Sequence, residues 1–153
     1  GPGLGLDTVG SMTAMQPSER ATAMVELFSK APIGHHLGMT LAYDDELRAV
    51  FDINDAPYLH HALGQVHGGV IATLIDSAAW FTAAVHYDTW ISTVDFSVRL
   101  LEPAVAAEDL QAVGSVVRIG KRLAAADAEV RTASGRLVAV GGGTFAVTGV
   151  PYG

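Results

Sequence analysis

The chain has 153 residues, half of them apolar and 16% charged, with a formal net charge of −7 and no cysteine. That is long enough for one domain with a real core and too apolar for a disordered chain. The acidic balance argues against non-specific nucleic-acid binding. The absence of cysteine removes disulfides, thiolate zinc sites and cysteine nucleophiles, in keeping with a reducing, cytoplasmic compartment.

The opening GPGLGLDTVGS, residues 1–11, carries no secretory pattern and reads as a tag remnant ahead of a single domain over 12–153. Met15 to Lys30 predicts a short helix, with Pro17 near its start, Ser18 or Thr13 as cap, and an apolar stripe of Met24, Val25, Leu27 and Phe28. Ala31-Pro32 is expected to end it. Met39 to Ile53 alternates on either side of Asp44-Asp45, which predicts two short strands and a tight turn. Asn54 to Val66, with Pro57 and Gly64, reads as a loop.

His67 to Tyr87 then predicts one long helix. Between Val70 and Val85 its only charge is Asp76, so it lacks the charged face of a surface helix. The apolar run is too short to span a bilayer and is interrupted by Asp76, so no membrane association is expected. A central helix wrapped by other elements remains. A lone carboxylate there is costly unless it is paired or used. At the entrance, Gly68 and Gly69 let a ligand approach the backbone, and the unpaired N–H groups and positive dipole end of the helix suit an oxyanion.

Four strand-like runs follow: Ile91–Leu101, Leu110–Arg118, Leu123–Thr132 and Leu137–Val147. In the first, alternation puts Val94, Phe96, Val98 and Leu100 on one face and Thr93, Asp95, Ser97 and Arg99 on the other. Ile119-Gly120-Lys121-Arg122 and Ser134-Gly135-Arg136 are hairpin turns. Short connections predict an antiparallel meander, and Gly141-Gly142-Gly143 permits a bend or a close backbone approach. The expected fold is α+β, a curved antiparallel sheet around one long helix, with one side of that helix left for a second subunit.

Asp76 lies eight residues after Gly68, about 12 Å along the axis and roughly 80° around it. A carbonyl polarised at Gly68 cannot be attacked from Asp76 of the same helix, because both must lie within ~3–4 Å of one reacting centre. If both groups act on one substrate, they come from different subunits. A two-fold axis would bring each Asp76 to the other helix's start, so a homodimer with two interfacial sites is predicted.

His67-Gly68-Gly69, with Asp76 nine residues after the histidine and Thr93-Val94-Asp95 opening a strand, resembles the hotdog-fold acyl-CoA thioesterases. The subgroup is the one of the phenylacetic-acid-pathway thioesterase and the mammalian acyl-CoA thioesterase of the same type. The likeness runs from about Leu37 to Val147 and includes GKRLAAADAEV and GRLVAVGGGTFAV. It implies that an acyl- or aryl-CoA thioester is hydrolysed to free acid and coenzyme A, without a cofactor or a metal. The Gly68 N–H would bind the thioester carbonyl, beside Gly69. His67 would shape the turn and contact substrate. Asp76 of the other subunit would serve as general base on water or as nucleophile, and Thr93 would help to position the water. Relatives carry asparagine where this chain has His61, and Gln65 is a substitute polar group. Arg118, Lys121 and Arg122, three of only nine basic residues, form a candidate site for the nucleotide phosphates. A homodimer, or a homotetramer of paired sheets or helix faces, is implied.

Plainer readings stand beside these. Asp76 could cap a neighbouring loop, Gly68-Gly69 could be only a tight junction, Thr93 an ordinary strand residue, and the basic trio a solvated hairpin tip. His35-His36 and His60-His61 invite a metal reading, but adjacent side chains diverge and no HExxH spacing occurs. Trp80, Phe81 and Trp90 read as packing residues. Two competing functions share the fold: a non-catalytic acyl-CoA-binding dimer, favoured by His61, and a dehydratase or hydratase acting on a CoA or carrier-protein thioester.

Overall fold

The computed structural model describes residues 15–104 and 108–152. The expected tag remnant and the candidate cap Thr13 lie outside these. In chain order the elements are α1 (Pro17–Ser29), α2 (Pro32–Leu37), β1 (Met39–Tyr43), β2 (Ala49–Ile53), a 3-10 turn (Pro57–Leu59), α3 (Gly68–Ala84), β3 (Thr89–Leu100), β4 (Leu110–Ile119), β5 (Leu123–Thr132) and β6 (Leu137–Pro151).

Two local expectations are corrected. Among the described residues no side chain, Ser18 included, caps α1: Gln16 is the cap residue, and Pro17 takes the first helical position, where a missing N–H costs nothing. Pro32 does end α1, but it also opens α2, which closes at Gly38 in the left-handed conformation with φ 71°. The Asp44 turn is also wider than two residues. Asp44 Oδ1 accepts from the Glu46 and Arg48 N–H groups, and its Oδ2 pairs with Arg48 Nε at 2.7 Å.

All six strands form one antiparallel sheet in the order β1-β2-β4-β5-β6-β3. Only β4, β5 and β6 form the expected meander. β3 does not pair with β4; it crosses to β6, and β4 joins β2. The connection after β3 carries Pro103, and the N–H groups of Leu101 and Glu102 turn to the Val138 carbonyl at 2.9 and 3.3 Å. The chain therefore leaves β3 across the start of β6 and re-enters the sheet beyond β6 and β5, as the inner strand β4.

α3 lies in the curve of this sheet, as its composition predicted. Leu74, Ile75, Ala78, Ala79, Ala83 and Ala84 are fully buried, each of the larger two contributing about 1.5–3 kcal/mol. Close approach needs glycine opposite the helix. A Cβ at Gly114 would overlap Thr82 Oγ1 and the Ala78 carbonyl, and one at Gly141 would overlap the Ser97 carbonyl and press on Ile75. Side chains take up the carbonyls at the helix's end: Tyr43 Oη donates to Phe81 O (2.8 Å), Tyr152 Oη to Ala84 O (3.3 Å) and Arg20 Nη1 to Val85 O (3.0 Å). Trp80 packs between Phe81 and Trp90, with centroids at 4.7 and 5.0 Å, and its Nε1 donates to Ile91 O. Thr73, Asp76 and Ser77 are only partly covered, so one stripe of the helix stays open.

Candidate active site

The start of α3 is held by main chain and by one histidine. His67 is the cap: its N–H donates to Leu59 O at 2.8 Å, and its Nδ1 accepts from the Gly69 N–H at 2.8 Å. Its carbonyl accepts from the Val70 and Ile71 N–H groups. Among the described residues, no hydrogen bond within the chain takes up the Gly68 N–H, the first of the helix. That donor sits at the positive end of the helix dipole, where negative charge is welcome.

Gly68 lines a cavity of about 330 Å3 together with His61, Gln65, Val66, Ile71 and the stretch Leu100 to Ala104. Three residues named from the sequence therefore meet at one place. His61 is held rigidly in a turn. Its N–H donates to Gln65 O, its carbonyl accepts from Gly64 N–H, and its Nδ1 accepts from Leu63 N–H at 3.0 Å. An accepting Nδ1 puts the ring proton on Nε2, so the neutral ring offers a donor as an asparagine amide would. His60 diverges from it, with Nε2 at 2.7 Å from Asp55 Oδ1. The wall contributed by Leu100 to Ala104 has no marker in the sequence beyond Pro103, which signals a change of direction.

Asp76 is not part of that cavity. Its Oδ1 accepts from Thr93 Oγ1 at 3.0 Å. Burial pushes its carboxyl above the ordinary range, and the Thr93 hydrogen bond offsets part of that rise. Simple alternation put Thr93 on the face of Asp95, Ser97 and Arg99; the structure corrects this. Thr93 pairs with the buried Phe145, but Asp95 pairs with the next residue back, Thr144, leaving Val94 as a bulge. The bulge turns Thr93 toward the helix and still returns Phe96, Val98 and Leu100 to the same side.

The register shows where these groups lie along the sheet. Thr93 shares a row with Phe145 and Ala124, beside the β4–β5 hairpin, whereas Leu100 shares a row with Ala139 and Val130 at the opposite end. Arg118, Lys121 and Arg122 line a second cavity, of about 470 Å3, with Leu123 and Thr144. The basic trio thus lies at the Asp76 end, and Tyr87 just beyond α3 donates to Gly120 O there at 2.6 Å. Within one chain the sequence-named residues fall into two groups, divided by about half the length of α3: Gly68, Gly69, His67, His61 and Gln65 at its start, and Asp76 at its middle with Thr93 and the basic trio beyond.

The thioesterase superfamily model matches residues 63–139, half of the chain. The chain belongs to the thioesterase superfamily. A crystal structure of a thioesterase-superfamily-related protein from Shewanella oneidensis is 27% identical, covering 86% of this chain and 97% of that one, with a TM-score of 0.75. The PaaI protein of the Escherichia coli phenylacetic acid degradation operon shares the fold at 19% identity, with a TM-score of 0.79 over 88% of this chain and 96% of that one. Both establish the expected hotdog architecture. A Halobacterium salinarum protein with a provisional esterase name is 38% identical over 94 residues, 55% of this chain and 61% of its own length. Membership of this superfamily supports hydrolase activity, and among the described residues no helix of this thioesterase-superfamily chain is long and apolar enough to cross a membrane.

Proposed function

We propose that the chain is an acyl-CoA thioesterase working as a homodimer, with each active site assembled from both subunits. Water attacks the thioester carbonyl carbon as Asp76 takes its proton. The developing oxyanion rests on the Gly68 N–H and the His61 Nε2–H of the other subunit. The C–S bond then breaks, the thiolate of coenzyme A is protonated, and the free acid leaves. His67 holds the donor turn by its Gly69 bond, Gln65 completes the polar wall, and Thr93 orients Asp76 and its water.

The observation that carries this reading is the split between the two groups. A partly buried carboxylate of raised basicity, bonded to Thr93, sits well along α3 from the Gly68–His61 cavity, and a two-fold partner would join them. β3 supports such pairing. It is an edge strand with Val94, Phe96 and Leu100 at 60%, 44% and 55% exposure, and an apolar edge of this kind is usually covered. The trio Arg118, Lys121 and Arg122 would hold the nucleotide phosphates on the subunit that provides Asp76.

The test is thiol release from a panel of CoA thioesters, short to long acyl plus phenylacetyl and benzoyl. The protein has no cysteine to add background. Asp76→Ala is expected to abolish release with the dimer intact; retained turnover contradicts the mechanism. Tight binding without hydrolysis by the unaltered protein would instead favour the acyl-CoA-binding reading that His61 raises.

A further inference from the structure

The wall of the Gly68 cavity contains a carboxylate that catalysis, as proposed above, has no use for. Glu102 lines the cavity with Gly68 and His61. It borders the cavity in which negative charge is to develop on the thioester oxygen, its side chain 48% exposed, and a free carboxylate on that wall opposes the charge. Glu102 is not free. Arg136, just ahead of β6, donates from Nη1 to Glu102 Oε2 at 2.6 Å and to the Pro103 carbonyl at 3.4 Å. Its Nη2 donates to Glu108 Oε2 at 2.8 Å. Arg136 is itself anchored, its N–H donating to Thr132 Oγ1 at 3.2 Å. One guanidinium thus spans two carboxylates on the β3–β4 connection, and only one of them borders the cavity.

We infer that Arg136 is a positioning residue for the oxyanion cavity. It binds the Glu102 carboxylate, holding it on the wall and neutralising a charge that would otherwise raise the barrier. The inference rests on the thioesterase reading and adds a requirement to it: the rate depends on the charge at Glu102, transmitted by a residue that does not line the cavity.

Arg136→Gln is expected to lower kcat for CoA thioester hydrolysis about threefold, the scale of one like charge partly screened by solvent, with KM changed much less. Arg136→Gln combined with Glu102→Gln is expected to recover most of that loss, because the offending charge is gone. Glu108→Gln, which leaves the Glu102 pair in place, should keep kcat near that of the unaltered protein. Arg136→Lys, which keeps the charge but not the fork, should also stay close. A purely structural staple gives the opposite pattern: Glu108→Gln and Arg136→Lys lose activity, and the double variant recovers nothing. Either of those results, or an Arg136→Gln variant with undiminished kcat, overturns this inference alone. Absence of thiol release by the unaltered protein overturns the hydrolytic reading and this inference with it. Thermal melts of each variant separate loss of rate from loss of fold.

Discussion

Asp76 and Thr93 are hydrogen-bonded to each other, and in the proposed mechanism the chemistry turns on that pair, whose coupling is measurable. Burial raises the Asp76 carboxyl and the Thr93 hydrogen bond lowers it. A general base must be ionised, so activity is expected to fall as pH drops through this raised value. Thr93→Val removes only the lowering contribution. The acid limb of kcat/KM should therefore move to higher pH, and an unmoved limb would assign Thr93 to packing. For stability the sign is reversed: a carboxyl raised by burial favours its protonated form in the fold, so its contribution to stability grows as pH falls through that value. Asp76→Asn should keep the melting temperature while removing turnover, which separates proton transfer from packing. Asp76 was legible in the sequence as the one charge between Val70 and Val85. The partner it uses was named as a residue, but its facing was not, since a one-residue bulge at Val94 is invisible to a period of two.

At the scale of elements, α3 and the sheet are held at a spacing that glycine sets. Gly114 faces the Ala78 carbonyl and Thr82 Oγ1, which in turn accepts from the Ala49 N–H at 2.9 Å. Gly114→Ala forces main chain apart, and no rotamer change relieves it. A loss of about 1–3 kcal/mol is expected, with a melting temperature lower by several degrees in calorimetry. An unchanged melt would show that the sheet flexes away from the helix. The Gly141–Gly143 run was legible as a site of close approach, and the structure gives it the Ser97 carbonyl, Asp127 and Asp95 as neighbours. The crossing of β3 to β6 was not legible, because strand order depends on where a nine-residue connection finds hydrogen bonds, here at Val138. α2 was hidden for a similar reason: a proline that stops one helix serves equally well to start the next.

For the whole molecule, the two ends of the sheet carry what we propose are two halves of a site, and charge is distributed accordingly. In an acidic chain the hairpin tip gathers Arg118, Lys121 and Arg122 around one cavity. Replacing all three by alanine is expected to raise KM for a CoA thioester at least tenfold, and to leave KM unchanged for a short thioester that lacks the nucleotide. Equal effects on both substrates would place the trio outside the binding of phosphate. The candidate residues were each visible in the sequence by type and spacing. Their division into two groups follows from the register, which no single stretch of chain displays.

The central claim is that each site draws on two subunits, and a mixed dimer tests it directly. Asp76→Ala removes one half. Gly68→Pro removes the N–H of the other at the first helical position, where proline is tolerated. Each variant alone should be inactive in thiol release. Co-refolded at equal amounts, half of the dimers are mixed and one of the two sites in each is whole, so the mixture is expected to show about a quarter of unaltered activity. A mixture as silent as its two parents would contradict a site shared across the dimer.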